Sequence, residues 1–484
     1  MKPVSRRQAL TLGIAGTGAI AVGGGGLLLT SSLPFRPETG GRLEEPVVLS
    51  SRGRLLELLL EAAPGQVTVA GREASVAAYN KSLPGPTLRL RPGDRLRVNL
   101  VNSLDTATNL HVHGLHVSPA SNGDNSFVSV EPGGSFDYEY DLPANHPPGT
   151  FWYHPHHHGS VADQVAAGLY GAIIVDAPEE LPVTHDRVIL VSDISLTGTG
   201  ALRPPSVAER MIGREGETVL VNGQVQPVLS AASGDRERWR VINACPARYL
   251  RLQLEGGQLQ ILALDGRRLA APAHVAEVLL APGNRVDLLL DAVRGTTVLR
   301  AASYDRGSMI SMMGGRGRAT VSGTVALLYL DTSGAPVGAL PPVPSTGRIR
   351  DLRKEPVAAH RRFDLSMGMG PGMASAGMRF TINDKEFDAG RIDETVSVGS
   401  VEEWTFSNGS PMDHPMHLHV WPMQVIQEGG RKLPDPKWQD VVNIPAHGEV
   451  KVLVYFDTFP GRTVLHCHIL DHEDLGMMGV IEAR

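Results

Sequence analysis

One strand pattern occurs three times along the chain, and it limits the possible folds more than any other feature. Residues Thr87–Asn102, TLRLRPGDRLRVNLVN, alternate apolar and polar side chains around a Pro-Gly-Asp turn, as antiparallel strands with one buried face do. The turn, the strand and an asparagine at the matching place return in Ser233–Leu254 and Ser397–Val420. A period of roughly 150 residues indicates tandem domains of one type rather than a solenoid. We therefore predict an all-β chain.

Domain limits follow from these landmarks. The ends of the first and third repeats also correspond, because Gly149–Val175 and Gly461–Ala483 share their length and pattern. The Pro-rich segment 334–347, GAPVGALPPVPSTG, is typical of an extended linker. Each domain is expected to be a Greek-key β-sandwich or barrel. We predict a signal and lead-in over residues 1–44 and domains over 45–180, 181–345 and 346–484.

The composition excludes some classes of protein. The chain has 484 residues, a formal net charge of −6 and 20% charged residues, which is the balance of an ordinary soluble protein. No stretch concentrates basic residues, so we expect no nucleic-acid partner. The 54 glycines and 35 prolines fit many short strands joined by turns. Of the two cysteines, Cys245 is predicted to be a small buried residue in a strand.

The N-terminus has the order of regions found in secretory signals. Arg6 and Arg7 precede a Gly/Ala-rich apolar run, and Ser5-Arg6-Arg7-x-x-Leu10 resembles a twin-arginine signal. The many glycines make that run only weakly hydrophobic, which favours export over a stable membrane span. We expect the twin-arginine export machinery as a partner and a periplasmic or extracellular location. An uncleaved signal serving as a membrane anchor is the alternative.

Four His-x-His pairs are the main candidates for metal ligands. On a strand, residues i and i+2 face the same side, so each pair directs two imidazoles to one point. One zinc ion takes only four ligands, and eight imidazoles therefore indicate several metal ions. All four pairs lie in the first and third repeats, whereas a structural histidine has no reason to sort by domain. The pairs are His111 and His113, His154 and His156, His417 and His419, and His466 and His468.

A second metal site is predicted from Leu465–Gly479, LHCHILDHEDLGMMG. Strand alternation turns Cys467 away from its neighbours His466 and His468, so its thiolate belongs to a site behind theirs. That site can take four side chains, Cys467, His472, Met477 and, as the available second histidine, His414. Two histidines, a thiolate and a thioether are the ligands of a blue-copper centre. Zinc is the alternative metal, although methionine is a poor zinc ligand and the four histidine pairs would then have no role.

These motifs resemble those of the multicopper oxidase family, and within it the bacterial three-domain laccases and cuprous oxidases. The family pattern HxHG, HxH, HxxHxH and HCHxxxHxxxxM occurs in full and in order, and the resemblance covers the chain beyond the signal. It implies three tandem cupredoxin-like domains and four copper ions per chain. It implies a type 1 copper at His414, Cys467, His472 and Met477. It implies a type 2 copper at His111 and His417, and a type 3 pair at His113, His154, His156, His419, His466 and His468.

The resemblance also implies a reaction and its partners. A small phenolic or aromatic compound, or a metal ion, gives up one electron at a time to the type 1 copper through an exposed edge of His414 or His472. The electrons pass through Cys467 to the other coppers, where dioxygen is reduced to water. This reduction consumes protons, and Glu473 and Asp124 match acids that deliver them in the family. A monomer is expected.

Several alternatives stay open at this point. The donor is a phenol in a laccase, or Cu(I), Mn(II) or Fe(II) in a metallo-oxidase. A copper-containing nitrite reductase, or a non-enzymatic exported protein serving in copper storage or envelope assembly, would share the fold. The cysteine between two histidines and the complete set of ligands argue against both.

Two methionine-rich segments and one acid are candidates for contact with the donor. Residues 309–313 hold Met309, Met312 and Met313, and residues 367–378 hold Met367, Met369, Met373 and Met378. Thioethers are soft donors suited to Cu(I), and these Gly-rich segments follow no period typical of a packed core. Their alternative role is a flexible cover over the substrate cleft. Asp413 either guides a donor or caps a turn.

Overall fold

The computed structural model describes residues 40–69, 71–307, 323–336, 338, 340–347, 349–369 and 378–484, the side chain of Met369 excepted. The predicted export signal, Met309, Met312, Met313 and Met373 therefore lie outside the described residues. The described part forms six sheets, paired into three β-sandwiches, and the predicted all-β class with three tandem cupredoxin-like domains is confirmed. None of its helices has the length and hydropathy needed to span a membrane.

Nine strands of the described chain form the first sandwich. They are β1 (Val48–Ser50), β2 (Leu55–Val69), β3 (Arg72–Tyr79), β4 (Thr87–Leu90), β5 (Arg95–Asn102), β6 (His111–His113), β7 (Ser135–Asp141), β8 (Gly149–His154) and β9 (Gly171–Val175). Alternation along β5 buries Leu96, Val98 and Leu100, as the sequence pattern predicts. The sheets have the orders β3-β2-β5-β7 and β1-β4-β9-β8-β6, which places β6 beside β8.

The second sandwich is built from eleven described strands. They are β10 (His185–Ile194), β11 (Thr218–Val221), β12 (Val228–Ala232), β13 (Arg236–Asn243), β14 (Leu250–Leu254), β15 (Leu259–Leu264), β16 (Arg267–Val275), β17 (Glu277–Leu280), β18 (Arg285–Asp291), β19 (Gly295–Ala302) and β20 (Val325–Ser333). The sheets have the orders β11-β10-β13-β18-β15-β16 and β12-β20-β19-β14-β17. Cys245 is buried as predicted, but it lies two residues beyond β13, so its placement in a strand is wrong.

The third sandwich also has eleven described strands. They are β21 (Val357–Met369), β22 (Met378–Ile382), β23 (Glu394–Val396), β24 (Val401–Asn408), β25 (His414–Leu418), β26 (Met423–Glu428), β27 (Arg431–Gln439), β28 (Val441–Ile444), β29 (Glu449–Tyr455), β30 (Gly461–Cys467) and β31 (Met478–Ala483). The sheets have the orders β22-β21-β24-β29-β26-β27 and β23-β31-β30-β25-β28. The second sheet therefore sets the cysteine-bearing β30 directly against β25, which carries two of the predicted histidines.

Part of the methionine segment at 367–378 belongs to the core of the third sandwich. Met367 lies opposite Phe380 in the pair β21–β22, and only 8% of its surface is exposed. Met378 begins β22 and packs against the same apolar cluster. The expectation that this segment is no part of a packed core is wrong for these two residues, because strand alternation in β21 turns Met367 inward.

Three short helices lie where the sandwiches meet, α1 (Val161–Ala167), α2 (Val207–Ile212) and α3 (Leu470–Asp474). Helix α3 begins three residues after β30 ends, and its Leu470 packs with Trp152 of the first sandwich and Ile242 of the second. Next to it, Asp471 accepts hydrogen bonds from the guanidinium of Arg214, which belongs to the second sandwich. These contacts hold the end of β30 against both neighbouring sandwiches.

Candidate metal centre

Eight histidines from the four predicted pairs gather in one buried cluster between the first and third sandwiches. Strand pairing sets their positions, since His111 lies opposite His154 in β6 and β8, and His417 lies opposite His466 in β25 and β30. The Nε2 atoms of His111 and His417 approach to 3.4 Å across the two sandwiches. The other members lie on these strands or within two residues of their ends, and are His113, His156, His419 and His468.

The ring nitrogens of this cluster have the environment of metal ligands. All eight rings are buried, and burial lowers their pKa values, so the rings are neutral, which is the form that binds metal. Some nitrogens have no hydrogen-bond partner among the described residues, namely His113 Nδ1, His154 Nε2 and both nitrogens of His468. Buried polar atoms without partners are costly. Metal ions fit here because they would supply those partners.

Hydrogen bonds on the outer side of the rings determine which nitrogen faces the cluster. Nδ1–H of His111 donates to Asp124 at 2.9 Å, and Nδ1–H of His417 donates to the backbone carbonyl of Asp440 at 2.8 Å. The same type of bond, to the carbonyl of the following residue, is made by His154 and His466. In each case the lone pair of Nε2 stays available for a metal ion on the inner side.

A buried ion pair that no sequence motif signals supports the cluster. Arg285 donates two hydrogen bonds to Asp440, at 2.5 and 2.7 Å, and Asp440 lies 3.2 Å from Nε2 of His113. The pair covers Gly114, whose φ is +85°. A Cβ atom at Gly114 would come 2.5 Å from Asp440 Oδ2 and closer still to Arg285 Nη2. The glycine of the HxHG motif is therefore required by both its backbone conformation and the packing above it.

The predicted cysteine site lies on the other side of β30. Cys467 Sγ is 3.6 Å from His414 Nδ1 and 4.0 Å from His472 Nδ1, and those two nitrogens are 3.4 Å apart. Burial lowers the pKa of both imidazoles, so they are neutral. Met477 is fully buried in the apolar cluster that also contains Cys467, and its backbone carbonyl accepts the N–H of Cys467. The donor set of one sulfur and two nitrogens fits a soft metal ion such as copper.

Neither histidine of the cysteine site has an exposed edge. His414 and His472 are both fully buried, so the expectation of an exposed ring is wrong. Nε2–H of His414 donates to Ser410 at 2.8 Å, and Nε2–H of His472 donates to the backbone carbonyl of Met211 at 3.3 Å. Because Met211 belongs to α2, this helix covers the ring of His472 on its outer side.

Asp413 is engaged within the fold. Its carboxylate accepts hydrogen bonds from the hydroxyl of Tyr304, the side-chain amide of Asn443 and the backbone N–H of Ala446. Only 4% of Asp413 is exposed. Of the two interpretations of this acid, the structure favours the capped turn.

Glu473 and Asp124 both lie against the cluster. Glu473 is fully buried, and its carboxylate oxygens lie 3.0 Å from His466 Nδ1 and 3.4 Å from His156 Nε2. Burial raises the pKa of Glu473 to about 7 and, at its contact with His111, the pKa of Asp124 to about 8. Each carboxyl group can therefore hold a proton near neutral pH.

Asp474 is a further acid beside Glu473, and it carries no signal in the sequence. Its carboxylate accepts the backbone N–H groups of Gly159, Val161 and Ala162 at the start of α1. Burial, and the adjacent Glu473, raise the pKa of Asp474 to about 8. Its donors belong to the first sandwich, so no local pattern around Asp474 could have predicted the contact.

Comparison with known proteins identifies the family. Three segments match family models described as multicopper oxidase, over residues 61–180, 187–313 and 360–484, which together cover most of the chain. The chain belongs to the multicopper oxidase family. Membership implies copper binding, and the buried histidine and cysteine groups provide suitable donors.

This multicopper oxidase is similar to curated proteins of two kinds. Multicopper oxidase mco of Staphylococcus haemolyticus is 30% identical over 421 residues, which span 84% of each chain. Cell division protein FtsP of Escherichia coli is 29% identical over 450 residues, which span 89% of this chain and 90% of FtsP. The sequence likeness therefore extends beyond proteins named as oxidases.

Solved structures show the same architecture. The multicopper oxidase of Campylobacter jejuni, described as a metallo-oxidase, has a TM-score of 0.81 and 29% identity, covering 92% of this chain and 95% of its own. A laccase-like multicopper oxidase of Ochrobactrum sp. has a TM-score of 0.76 and 24% identity, covering 91% of this chain and all of its own, and supports the fold alone.

Proposed function

We propose that this multicopper oxidase couples four one-electron oxidations of a donor at the cysteine site to the reduction of dioxygen to water at the histidine cluster. One observation carries the proposal. The thiol of Cys467 faces His414 and His472, while its chain neighbours His466 and His468 belong to the cluster on the other side of β30. The two sites are thus joined through three consecutive residues.

The proposed ligands are those that the resemblance to the family implies, and the distances between their rings are compatible with that assignment. A type 1 ion is assigned to His414, Cys467, His472 and Met477. A type 2 ion is assigned to His111 and His417, whose Nε2 atoms are 3.4 Å apart. A type 3 pair is assigned to two triads, His156, His419 and His466, with donor atoms within 4.8 Å of one another, and His113, His154 and His468, with ring centroids 5.0 to 5.7 Å apart. When bound, copper supplies the one-electron redox chemistry and the reduction of dioxygen.

The chain's own residues provide the path between the sites and the protons. Cys467 is bonded through the backbone to His466 and His468, which gives the shortest covalent connection between the two donor sets. A carboxyl oxygen of Glu473 lies 3.0 Å from His466 Nδ1, and with a pKa raised to about 7 this group can hold a proton near the cluster. Asp124 accepts the Nδ1–H of His111 and so fixes that ring while offering a second protonatable group. Because the cluster is buried, these carboxyl groups would deliver the protons that dioxygen reduction consumes.

The proposed donor is a small reductant, and a metal ion such as Cu(I) is favoured over a phenol. The Campylobacter jejuni protein, at 29% identity over nearly the whole chain, is described as a metallo-oxidase. Helix α2 covers His472, so a donor must pass its electron across this cover rather than at an open ring edge. Steady-state kinetics with Cu(I) and with a simple phenol should give the higher kcat/KM for Cu(I). A higher value for the phenol would assign a laccase activity instead.

Metal analysis of two cysteine variants tests the oxidase proposal. Cys467 and Cys245 are both buried and free, so Cys245→Ser is a matched control for Cys467→Ser. The wild type and Cys245→Ser should bind about four copper ions per chain and absorb strongly in the visible range, as a Cys-ligated blue copper does. Cys467→Ser should lose that absorbance, about one copper ion and oxidase turnover. Unchanged absorbance and dioxygen uptake in Cys467→Ser would contradict the proposal.

A second candidate function is a non-enzymatic role in the cell envelope, favoured by the similarity to cell division protein FtsP. The copper uptake and dioxygen consumption of the isolated protein distinguish this role from the oxidase. A chain that takes up no copper on reconstitution and consumes no dioxygen with any of the donors above would support the envelope role and exclude the oxidase.

We also propose export by the twin-arginine machinery to the periplasm or the exterior, and a monomeric state. Arg6 and Arg7 precede the apolar run that motivates this proposal. Replacing both with lysine should leave the protein in the cytoplasm, as measured by cell fractionation. Export that continues unchanged would contradict it.

A further inference from the structure

A cavity at the junction of the three sandwiches lies apart from both metal sites. Its volume is about 280 Å³. Its walls include residues of all three sandwiches and of the segment before the third, His116, Arg267, Arg268, Arg350, Trp438 and Tyr455. Three of these are arginines, whereas one carboxylate, that of Asp457, lines the cavity. The cavity therefore has an excess of positive charge.

Arg267 has no carboxylate in direct contact with it among the described residues. Its guanidinium makes no hydrogen bond or ion pair with any described residue, and it lies over the ring of Trp438, 5.8 Å from the centroid. Two carboxylates attract Arg267 from a distance: Asp440, which pairs directly with Arg285, and Asp457, which lies 3.3 Å from His116. Burial lowers the pKa of Arg267, yet a guanidinium keeps its charge at neutral pH. Arg267 is half-buried, and a partly desolvated charge without a direct ion pair gains from a bound anion.

The other two arginines also offer unused donors. Nη2 of Arg268 donates to the carbonyl of Pro344 at 2.6 Å, but its buried Nε has no hydrogen-bond partner in the described chain. Arg350 stacks on Tyr455, with 4.2 Å from the guanidinium carbon to the ring centroid, and reaches Glu355 at 3.4 Å. Stacking occupies the faces of guanidinium groups and leaves N–H edges free for acceptors in the plane.

We propose that this cavity binds a small oxyanion, an inorganic phosphate or sulfate or a small carboxylate, between Arg267, Arg268 and Arg350. Such a ligand supplies the acceptors that these groups lack and compensates the unpaired charge. Two oxygens of one anion match the planar N–H edges of a guanidinium. The cavity is near the lower limit of small-molecule pockets, about 300 Å³, which suits an anion of this size. The site is independent of the proposed oxidase function.

Titration with inorganic phosphate tests the site. The full-length protein as isolated is titrated by calorimetry in Tris–chloride at constant ionic strength, and its thermal unfolding is followed in parallel. We expect saturable binding and an unfolding midpoint that rises with phosphate. Arg267→Gln should weaken binding by about tenfold or more, since it removes charge-assisted hydrogen bonds. Arg300→Gln, an exposed arginine paired with Glu255 outside the cavity, should bind like the wild type.

Two further measurements keep the test decisive. Without phosphate, Arg267→Gln should be at least as stable as the wild type, because it removes a half-buried charge that makes no direct ion pair. If that variant does not fold, Arg350→Gln, whose side chain is 49% exposed at the rim, should still weaken binding severalfold. Stabilisation by phosphate that is equal in the wild type and these variants, or that chloride alone reproduces, would overturn the proposal. Citrate and sulfate in place of phosphate then show whether a carboxylate or an inorganic oxyanion binds more tightly.

Discussion

At the scale of single residues, Gly114 connects the backbone of the first histidine pair to the ion pair of Arg285 and Asp440. Gly133 is a matched comparison, because it also has a positive φ, of +76°, but no atom lies within 4 Å of a Cβ built there. Gly133→Ala should lower the free energy of unfolding by about 1 kcal/mol, from the backbone alone. Gly114→Ala should cost about 3 kcal/mol or more, because it also displaces a buried ion pair. Urea denaturation of both variants measures the difference, and equal costs would contradict this account.

Glu473 should set a pH dependence. Its pKa of about 7 lies above the ordinary value of 4.5, so its carboxyl is protonated below pH 7 and loses the proton above it. Turnover of the wild type should fall as pH rises through about 7, as the proton source is lost. The free energy of unfolding of the copper-free protein should fall as pH rises from about 4.5 to about 7 and level off above, because only the folded state still binds this proton in that window.

Glu473→Gln isolates these effects. The variant should be slower by about a hundredfold or more below pH 7 and should lack the fall near pH 7, so that the difference narrows at higher pH. Glu57→Gln, an exposed position on β2, is the control and should keep the wild-type profile. A Glu473→Gln enzyme with an unchanged pH profile of turnover would remove Glu473 from proton delivery.

Individual residues also show how far the sequence is informative. The alternation of His466, Cys467 and His468 predicted two sites on opposite sides of one strand, and the structure has that arrangement. The ion pair of Arg285 and Asp440 could not be predicted, because the two residues lie 155 positions apart and meet only through tertiary packing. The burial of His414 and His472 was also unpredictable, since α2, which covers one of them, belongs to another sandwich.

At the scale of elements, the pair β21–β22 determines what Met367 does. Met367→Ala should lower the free energy of unfolding by about 2 to 4 kcal/mol, as truncation of a buried methionine leaves a cavity. Met367→Leu keeps the volume and should cost less than about 1.5 kcal/mol. Cu(I) oxidation by Met367→Leu should equal that of the wild type, because a core thioether is not available to a donor. A selective loss of Cu(I) oxidation in the leucine variant would show instead that Met367 takes part in Cu(I) oxidation.

Strands and helices differ in how well the sequence predicts them. Strands such as β5 are visible because alternation over eight residues leaves a clear pattern. The three α-helices of the described residues have seven, six and five residues, which is too short for a helical period to be recognised. Their importance lies at the junctions, where α3 meets the other two sandwiches, and such contacts have no local signature.

At the scale of the whole molecule, the donor atoms of both sites come from the first and third sandwiches. Removal of copper should therefore loosen these two sandwiches more than the second. Hydrogen–deuterium exchange should show faster exchange in the copper-free protein around residues 111–113, 154–156 and 414–419, because metals stabilise only the folded state that they bind. Peptides from the core of the second sandwich, such as 236–243, should change least. A uniform increase over the chain would contradict this arrangement.

The three-domain organisation could be read from the repeated turn and strand, and the limits at 45–180, 181–345 and 346–484 stay a prediction. What the sequence could not predict is how the sandwiches lie against one another. That depends on side chains such as Arg214 and Asp471, which are 257 residues apart. The junction cavity with its three arginines follows from the same packing and has no counterpart in the linear motifs.

Because successive residues of strand β30 face opposite sides, neighbouring positions supply ligands to different donor sets. Odd and even positions around Cys467 belong to different sites. Pairing with β25 fixes the register of the strand, since Cys467 lies opposite Met416 and His466 opposite His417. A substitution in this stretch changes one ligand, whereas a single-residue insertion or deletion exchanges the sides of all of them at once. An insertion of two residues would restore the parity while moving the ligands along the strand by about 6.6 Å. In this segment, the spacing of the residues should therefore be under tighter constraint than any one side chain in it.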